Sequence, residues 1–326
     1  MRALVLDRPG SPDTLRLADL PVPEAGPGQV RVRVEACGLN PVDYQIAGGG
    51  HPQWEWPHVL GLDVAGTVDA VGEGVTQVRV GQRVAFHGDL RRPGGFAEFA
   101  VADADVLAPL PDDLDAVTAA ALPCAGMAAY QAVFRRLHVT AGRTVLVTGG
   151  AGGVGGFAVQ LAAGVGARVI ATSSAGNAAY VRELGAHDVV DYQQQDVAAR
   201  VRELTGGRGV DAVVDTVGPD SAAAHLGLLV HGGGLVAVSG RPERNTVAPF
   251  TTAPSLHEIA LGSAYSHGDE QARADLAAML GALFTMVTEK RLAPMTSRTV
   301  ALEEVPSSLA ELATRHARGK TVYAAG

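Results

Sequence analysis

The sequence predicts an α/β chain in two parts: a compact β barrel, then a doubly wound parallel sheet with helices on both faces. Three observations carry this. Short alternating strands broken by Gly and Pro fill the first third. From Arg143 onward strand and helix patterns alternate, and the strands are runs of Val, Leu and Ile, as in parallel sheets buried on both faces. Between the first strand and first helix of that series stands Gly149-Gly-Ala-Gly-Gly-Val-Gly155, in which Gly150, Gly152 and Gly155 fit G-x-G-x-x-G.

In the first part, Val30-Arg-Val-Arg-Val34 alternates, and Gly66-Thr-Val-Asp-Ala-Val71 runs to a turn at Gly72-Glu-Gly74. Residues 80–86 and 95–101 continue the strand series. The pattern turns helical over 116–122, which leads to Pro123, and again over 126–137. In the second part the expected strands are 144–148, 168–172, 188–191, 210–216 and 234–239. The expected helices are 153–163, 177–184, 197–204 and 220–230. Residues 258–265 read as one more strand, whose apolar character suits a sheet edge paired with a second subunit. A long helix over about 269–290 follows, and the tail, 298–302 to 320–323, returns to the first part as strand and helix. The expected domains are 1–115, completed by 286–326, and 116–285.

The glycine segment defines a dinucleotide site. Gly150 allows the tight turn, Gly152 lets the backbone approach a pyrophosphate, and Gly155 lets helix pack closely on strand. The helix opening at Gly153 and Val154 turns free N–H groups and the positive end of its dipole towards the phosphates. After the second strand, where NAD sites usually hold an acid, stand Ser173 and Ser174, with Asn177 and Tyr180 beyond. Hydroxyl and amide donors bind a 2′-phosphate that an acid would repel. At about 1.5–3 kcal/mol for each hydrogen bond to a charged group, two of them favour NADPH over NADH well over tenfold. The alternative is that both serines are ordinary turn residues and selectivity is slight. Thr216 and Ser239 lie at carboxyl ends of later strands, where ligands bind in such sheets; Arg241 meets either the cofactor or solvent.

Composition narrows the function class. The chain has 326 residues, enough for two cores, and a formal net charge of −8, which argues against nucleic acid or an anionic membrane as partner. No segment has the apolar run of a membrane span, and the first strand is interrupted too soon to be a signal peptide. Two cysteines make no disulfide framework, so the expected compartment is the cytoplasm.

Four stretches carry a family resemblance: Ala36-Cys-Gly-Leu-Asn-Pro-Val-Asp-Tyr44, Gly61-Leu-Asp-Val-Ala-Gly-Thr-Val68, Ala151-Gly-Gly-Val-Gly155 and Gly319-Lys-Thr-Val322. Together they resemble the medium-chain dehydrogenase/reductase superfamily over the whole chain, and within it the zinc-independent quinone oxidoreductase (zeta-crystallin-like) branch. The resemblance implies a GroES-like barrel, discontinuous in sequence, a Rossmann domain, and a site in the cleft between. It implies a homodimer or homotetramer. It also implies that Lys320 approaches the cofactor, a surface lysine being the alternative.

Zinc-dependent relatives carry ligands near Cys37, in a Gly-His-Glu segment, and near Cys124. Here that segment is Gly61-Leu62-Asp63, and leucine cannot ligate zinc. Cys37, Cys124 and Asp63, with His58 nearby, are the alternative set; the reading adopted is no metal, with both cysteines small apolar residues. Without a metal, the favoured hydride acceptor is a quinone or an α,β-unsaturated carbonyl, whose developing oxyanion needs hydrogen-bond donors. The candidate donors, placed on the loop after the first-part strand, are Asn40 and Tyr44. Asn40 either contacts substrate or caps the turn before Pro41; Tyr44 is either a polarising hydroxyl or a barrel-wall aromatic. Asp43 reads as a structural hydrogen-bonding residue, and Trp54 and Trp56 as pocket lining. His51, His58, His87 and His267 have no partner at recognisable spacing and read as surface or structural. Ala128 replaces a threonine expected to face the nicotinamide. The competing functions are an enone or alkenal reductase, a zinc alcohol dehydrogenase, and an NADPH-binding redox sensor with little catalysis.

Overall fold

Val30, Val32 and Val34 are buried along one face of the strand Gln29–Gly38, which extends four residues beyond the expected 30–34. This strand organises the first sheet. Its antiparallel neighbours are Asp63–Val71 on one side, and Phe99–Asp103 and Lys320–Ala324 on the other. The sheet runs Thr296–Val300, Lys320–Ala324, Gln29–Gly38, Asp63–Val71, Arg83–His87, Ala108–Pro109. A smaller antiparallel sheet places Arg2–Leu6 between Arg16–Asp19 and His58–Val59.

The computed structural model describes residues 1–244, 246–315 and 317–326. These fall into two units, one of 1–127, 261–290 and 294–326, the other of 128–260 and 291–293. The expected division placed 116–127 and 261–285 with the nucleotide half; the structure places them in the first unit. The reason is packing. The helix Ala116–Ala120 lies on Gln29–Gly38 and Asp63–Val71, and the helix Glu270–Thr288 packs on Arg83–His87 and Ala104–Val106. The Arg273 guanidinium also donates to Asp105 at 2.8 Å. Residues 291–293 join the second unit through Gln160, whose amide bonds Ala293 in both directions.

The second unit is a six-stranded parallel sheet in the order Asp188–Asp191, Arg168–Ser173, Thr144–Val147, Val210–Asp215, Leu229–Ala237, Ser255–Glu258. Leu146, Ile170, Val213 and Leu235 are wholly buried in its core; burial of each such side chain contributes about 1.5–3 kcal/mol. The strand order reverses between Thr144–Val147 and Val210–Asp215, the topological switch point at which such sheets bind nucleotides. The glycine segment follows Thr144–Val147 directly.

The last strand and one long helix also differ from expectation. The last strand is Ser255–Glu258, not 258–265; it is the sheet edge, and pairing ends at Ala237 and Glu258. Beyond it Ser263–Ser266 is a helical turn, and the Tyr265 hydroxyl donates to the His87 carbonyl. The expected helix 126–137 is α-helical over Pro123–Tyr130 and then widens to a π-helix over Gln131–Arg136.

Candidate active site

Three glycines of the loop, Gly149, Gly150 and Gly155, take a conformation or a closeness of approach that a side chain would strain. Gly149, not Gly150, takes the left-handed conformation (φ +65°), so the tight turn is one residue earlier than the motif suggests. Gly150 instead leaves room for Ala171 and Val181, which a Cβ would approach to 3.0 and 3.1 Å. A Cβ on Gly155 would stand 2.2 Å from the Gly149 carbonyl oxygen, so the first turn of the helix lies directly against the loop. Gly152 caps the helix Gly153–Gly164, whose first turn leaves the N–H groups of Gly153, Val154 and Gly155 without acceptors four residues back. This cradle, which a side chain would fill, fits a pyrophosphate.

Around it the expected polar residues are arranged as follows. The Thr216 hydroxyl donates to the Thr148 carbonyl at 2.7 Å, and the Ser239 hydroxyl to the Thr216 carbonyl at 2.9 Å. Ser173 is buried and its hydroxyl donates to the Ser174 carbonyl at 3.0 Å, which turns it inward. Ser174 precedes the turn Ala175–Asn177 and accepts from the Asn177 amide at 3.4 Å, and Tyr180 is half-buried on the helix Ala178–Glu183. Arg241 is exposed and lies 3.5 Å from the Glu258 carboxylate.

In the first unit a buried polar cluster gathers residues from distant parts of the chain. Asn40 and Tyr44 are not on a loop: Asn40 caps the helix Pro41–Gly49, and Tyr44 is half-buried on it. Pro41 suits the first helical position because its missing N–H would have no intrahelical partner. Asp43 reaches back to accept the Asn40 backbone N–H at 2.8 Å, the structural role expected of it. The Asn40 amide donates to the Gly38 carbonyl at 3.3 Å and to Asp63 at 2.9 Å, and its oxygen accepts from Lys320. Asn40 is thus committed on both sides of its amide. Lys320 is neither exposed nor free: its ammonium also donates to the Leu39 carbonyl at 2.9 Å and lies 3.5 Å from Asp63. The other Asp63 oxygen accepts the Cys124 backbone N–H at 2.9 Å.

His87 joins this cluster, contrary to its reading as an unpartnered histidine. It is the direct cross-strand partner of Asp63, so both side chains leave the same face of the sheet. One ligand atom each from Asp63, His87 and Cys124 lies within 4.8 Å of the others. His87 Nδ1 is buried without a hydrogen-bond partner. Burial pushes the thiols of Cys37 and Cys124 well up and the His87 imidazole down, so all three are neutral. Burial also pushes the Asp43 carboxyl up to about 7. Elsewhere in the first unit, Trp54 is buried, donates to the Leu90 carbonyl at 2.7 Å and stacks on His58 at 4.0 Å, whereas Trp56 stays exposed.

Comparison with known proteins places this architecture. Residues 26–112 match the alcohol dehydrogenase GroES-like domain, and residues 153–284 match the family described as zinc-binding dehydrogenase. A quinone oxidoreductase of Pseudomonas aeruginosa is 35% identical over 320 residues, 96% of each chain. The chain belongs to the quinone oxidoreductase branch of the medium-chain dehydrogenases/reductases. A 2-haloacrylate reductase of a Burkholderia species is 39% identical over 233 residues, 70% of this chain and 69% of that one. A mycobacterial protein solved in complex with NADPH superposes with a TM-score of 0.86 at 32% identity, covering all of both chains. The chain is accordingly an oxidoreductase of this branch. Among the described residues no helix is long and apolar enough to cross a membrane.

One matching family is described as zinc-binding, and the cluster tests whether this member's residues fit a zinc ion. Leu62 offers no donor. Asp63, His87 and Cys124 form an O, N, S set of the kind that holds catalytic zinc. The Lys320 ammonium already neutralises Asp63, and a second cation beside it would meet direct repulsion. As they stand, these residues do not fit a resident divalent ion.

Proposed function

We propose that the protein is an NADPH-dependent reductase that delivers hydride to a quinone or an α,β-unsaturated carbonyl compound without a metal. The observation that carries this reading is the Lys320–Asp63 pair, a fixed internal cation among the residues where a metal would need its ligands. Bound NADPH supplies the hydride. The loop N–H groups at Gly153, Val154 and Gly155 hold the pyrophosphate, with Gly150 and Gly152 letting it approach. Ser174 and Asn177, which are only half-buried, take the 2′-phosphate with Tyr180, while Ser173 supports the turn from within. Thr216, Ser239 and Arg241 line the carboxyl ends of the strands on the remaining side. The mycobacterial NADPH complex supports this choice of cofactor.

A conjugated acceptor suits a metal-free site because hydride addition leaves its charge delocalised onto oxygen. Stabilising that oxygen needs only an oriented donor. The Tyr44 hydroxyl is the proposed donor, and Asn40 and Lys320 act by fixing the start of its helix. The similarity to a 2-haloacrylate reductase supports a second reading, reduction of an activated carbon–carbon double bond.

Steady-state NADPH oxidation by chelator-treated protein, with a small quinone and a matched enone as parallel acceptors, tests this. Turnover of either supports the metal-free reading, and their ratio ranks the two acceptors. Activity that disappears on chelation and returns with zinc overturns it.

A further inference from the structure

We infer that Lys320 masks a latent divalent-metal site made of Asp63, His87 and Cys124, its ammonium standing in for the ion. The ligand set is formed by backbone geometry rather than chance proximity. Asp63 and His87 face each other across adjacent strands, and Cys124 is tied to Asp63 by its own N–H. A tetrahedral zinc with bonds of about 2.0–2.3 Å holds its ligand atoms about 3.3–3.8 Å apart. The three atoms here already lie within 4.8 Å, so contraction by about 1 Å closes the site. His87 supplies the second, independent sign: its Nδ1 is buried and unpartnered, an arrangement that buried polar atoms rarely keep unless something else uses the ring.

Charge explains why the ion is replaced rather than added. The Lys320 ammonium contributes one positive charge beside Asp63. A divalent ion bound with a Cys124 thiolate contributes the same net charge, the thiol proton being released to solvent. Lysine and metal–thiolate are therefore electrostatically equivalent occupants, and the cluster accommodates one of them. This inference differs from the ligand set built on Cys37 and His58, and it holds whichever acceptor the enzyme reduces.

The test uses the full chain, freed of metal by chelation and dialysis, as wild type, Lys320→Met and Lys320→Gln. Cobalt(II) is titrated in, and d–d absorption, the thiolate-to-cobalt charge-transfer band and metal content per chain are read. Wild type is expected to show no such band. Both variants are expected to take up about one ion per chain, at least about tenfold tighter than wild type, with the band present. His87→Ala or Cys124→Ser in the Lys320→Gln background should abolish it. The glutamine amide can still donate to Leu39 and Asn40, and Asp43→Asn/Lys320→Gln removes a buried acid together with the buried cation. Circular dichroism and NADPH binding report folding for all variants. Equal cobalt binding by wild type and folded variants overturns the inference, as does a band that survives loss of His87 and Cys124. Failure of all three Lys320 backgrounds to fold overturns it too, since Lys320 would then be a structural residue and not a mask.

Discussion

Lys320 Nζ lies 3.5 Å from Asp63 Oδ2, and their side chains are 4% and 0% exposed. Removing one member of such a pair strands a buried charge, which costs about 3–5 kcal/mol, whereas removing both costs far less. Lys320→Met, kept in chelator, should therefore unfold at clearly lower urea than wild type. Asp63→Asn/Lys320→Met should recover at least half of the loss. Additive losses in the double variant would show that the two groups do not act as a pair.

The Asp43 carboxyl, pushed by burial to about 7 from its ordinary 3.8, gives stability a negative pH slope. Between those values the folded chain keeps a proton that the unfolded chain has released. Stability therefore falls as pH rises from about 4 to about 7, by up to about 4 kcal/mol. In Asp43→Asn this component should vanish from unfolding free energies measured across the window. An unchanged slope would mean that Asp43 is ionised in the fold.

His58 acts with the opposite sign. Burial, with Trp54 stacked on the ring, lowers its pKa from 6.5 to about 4. The unfolded chain takes up the proton first as pH falls, so stability is lost from about 6.5 down through about 4, by up to about 3 kcal/mol. His58→Phe keeps the stack and removes the titration. The His58 component should then be missing from tryptophan-fluorescence unfolding curves taken at several pH values, and a loss below about 6.5 that is unchanged would mean that His58 does not cause it.

Gly152 and Gly155 separate fold from function. A Cβ at 155 would collide with the Gly149 carbonyl at 2.2 Å, whereas at 152 its nearest neighbour is 3.4 Å away. Gly155→Ala should lower the melting temperature and lose NADPH binding. Gly152→Ala should melt near wild type yet bind NADPH at least about tenfold more weakly, because the added methyl stands where a pyrophosphate must approach.

The proposed preference for NADPH puts the 2′-phosphate at Ser174. Ser174→Asp places a carboxylate where a 2′-phosphate would sit, repelling NADPH and offering a ribose 2′-OH an acceptor. The ratio of kcat/KM for NADPH to that for NADH should fall by more than about tenfold. A ratio that does not move would place the 2′-phosphate elsewhere.

What could be read from the residues alone follows from how local each signal is. Thr144–Val147, the glycine loop and Gly153–Gly164 are contiguous, so their periodicity and spacing reveal the strand–turn–helix unit directly. Even there, the motif does not single out Gly149 as the residue that takes positive φ, because a motif records identity and not dihedral angles. The Asp63–His87 pairing depends on the register of two strands, which alternation suggests only once both ends are known. The strand Arg83–His87 begins three residues later than the pattern at 80–86 suggests, and that hides the register. The buried partners of Lys320, Leu39 and Asn40, are separated from it by nearly the whole sequence, so no local pattern points to them.

The strand Lys320–Ala324 lies between Thr296–Val300 and Gln29–Gly38. During synthesis, the Gln29–Gly38 edge must wait unpaired at this position until Lys320–Ala324 has left the ribosome. The second unit is almost contiguous, and its six strands are all available by Glu258. The order of birth is thus the reverse of the order of completion: the part made first closes last. A nascent chain halted before residue 320 would carry an assembled nucleotide fold beside an open-edged sheet, the species a chaperone would have to shield.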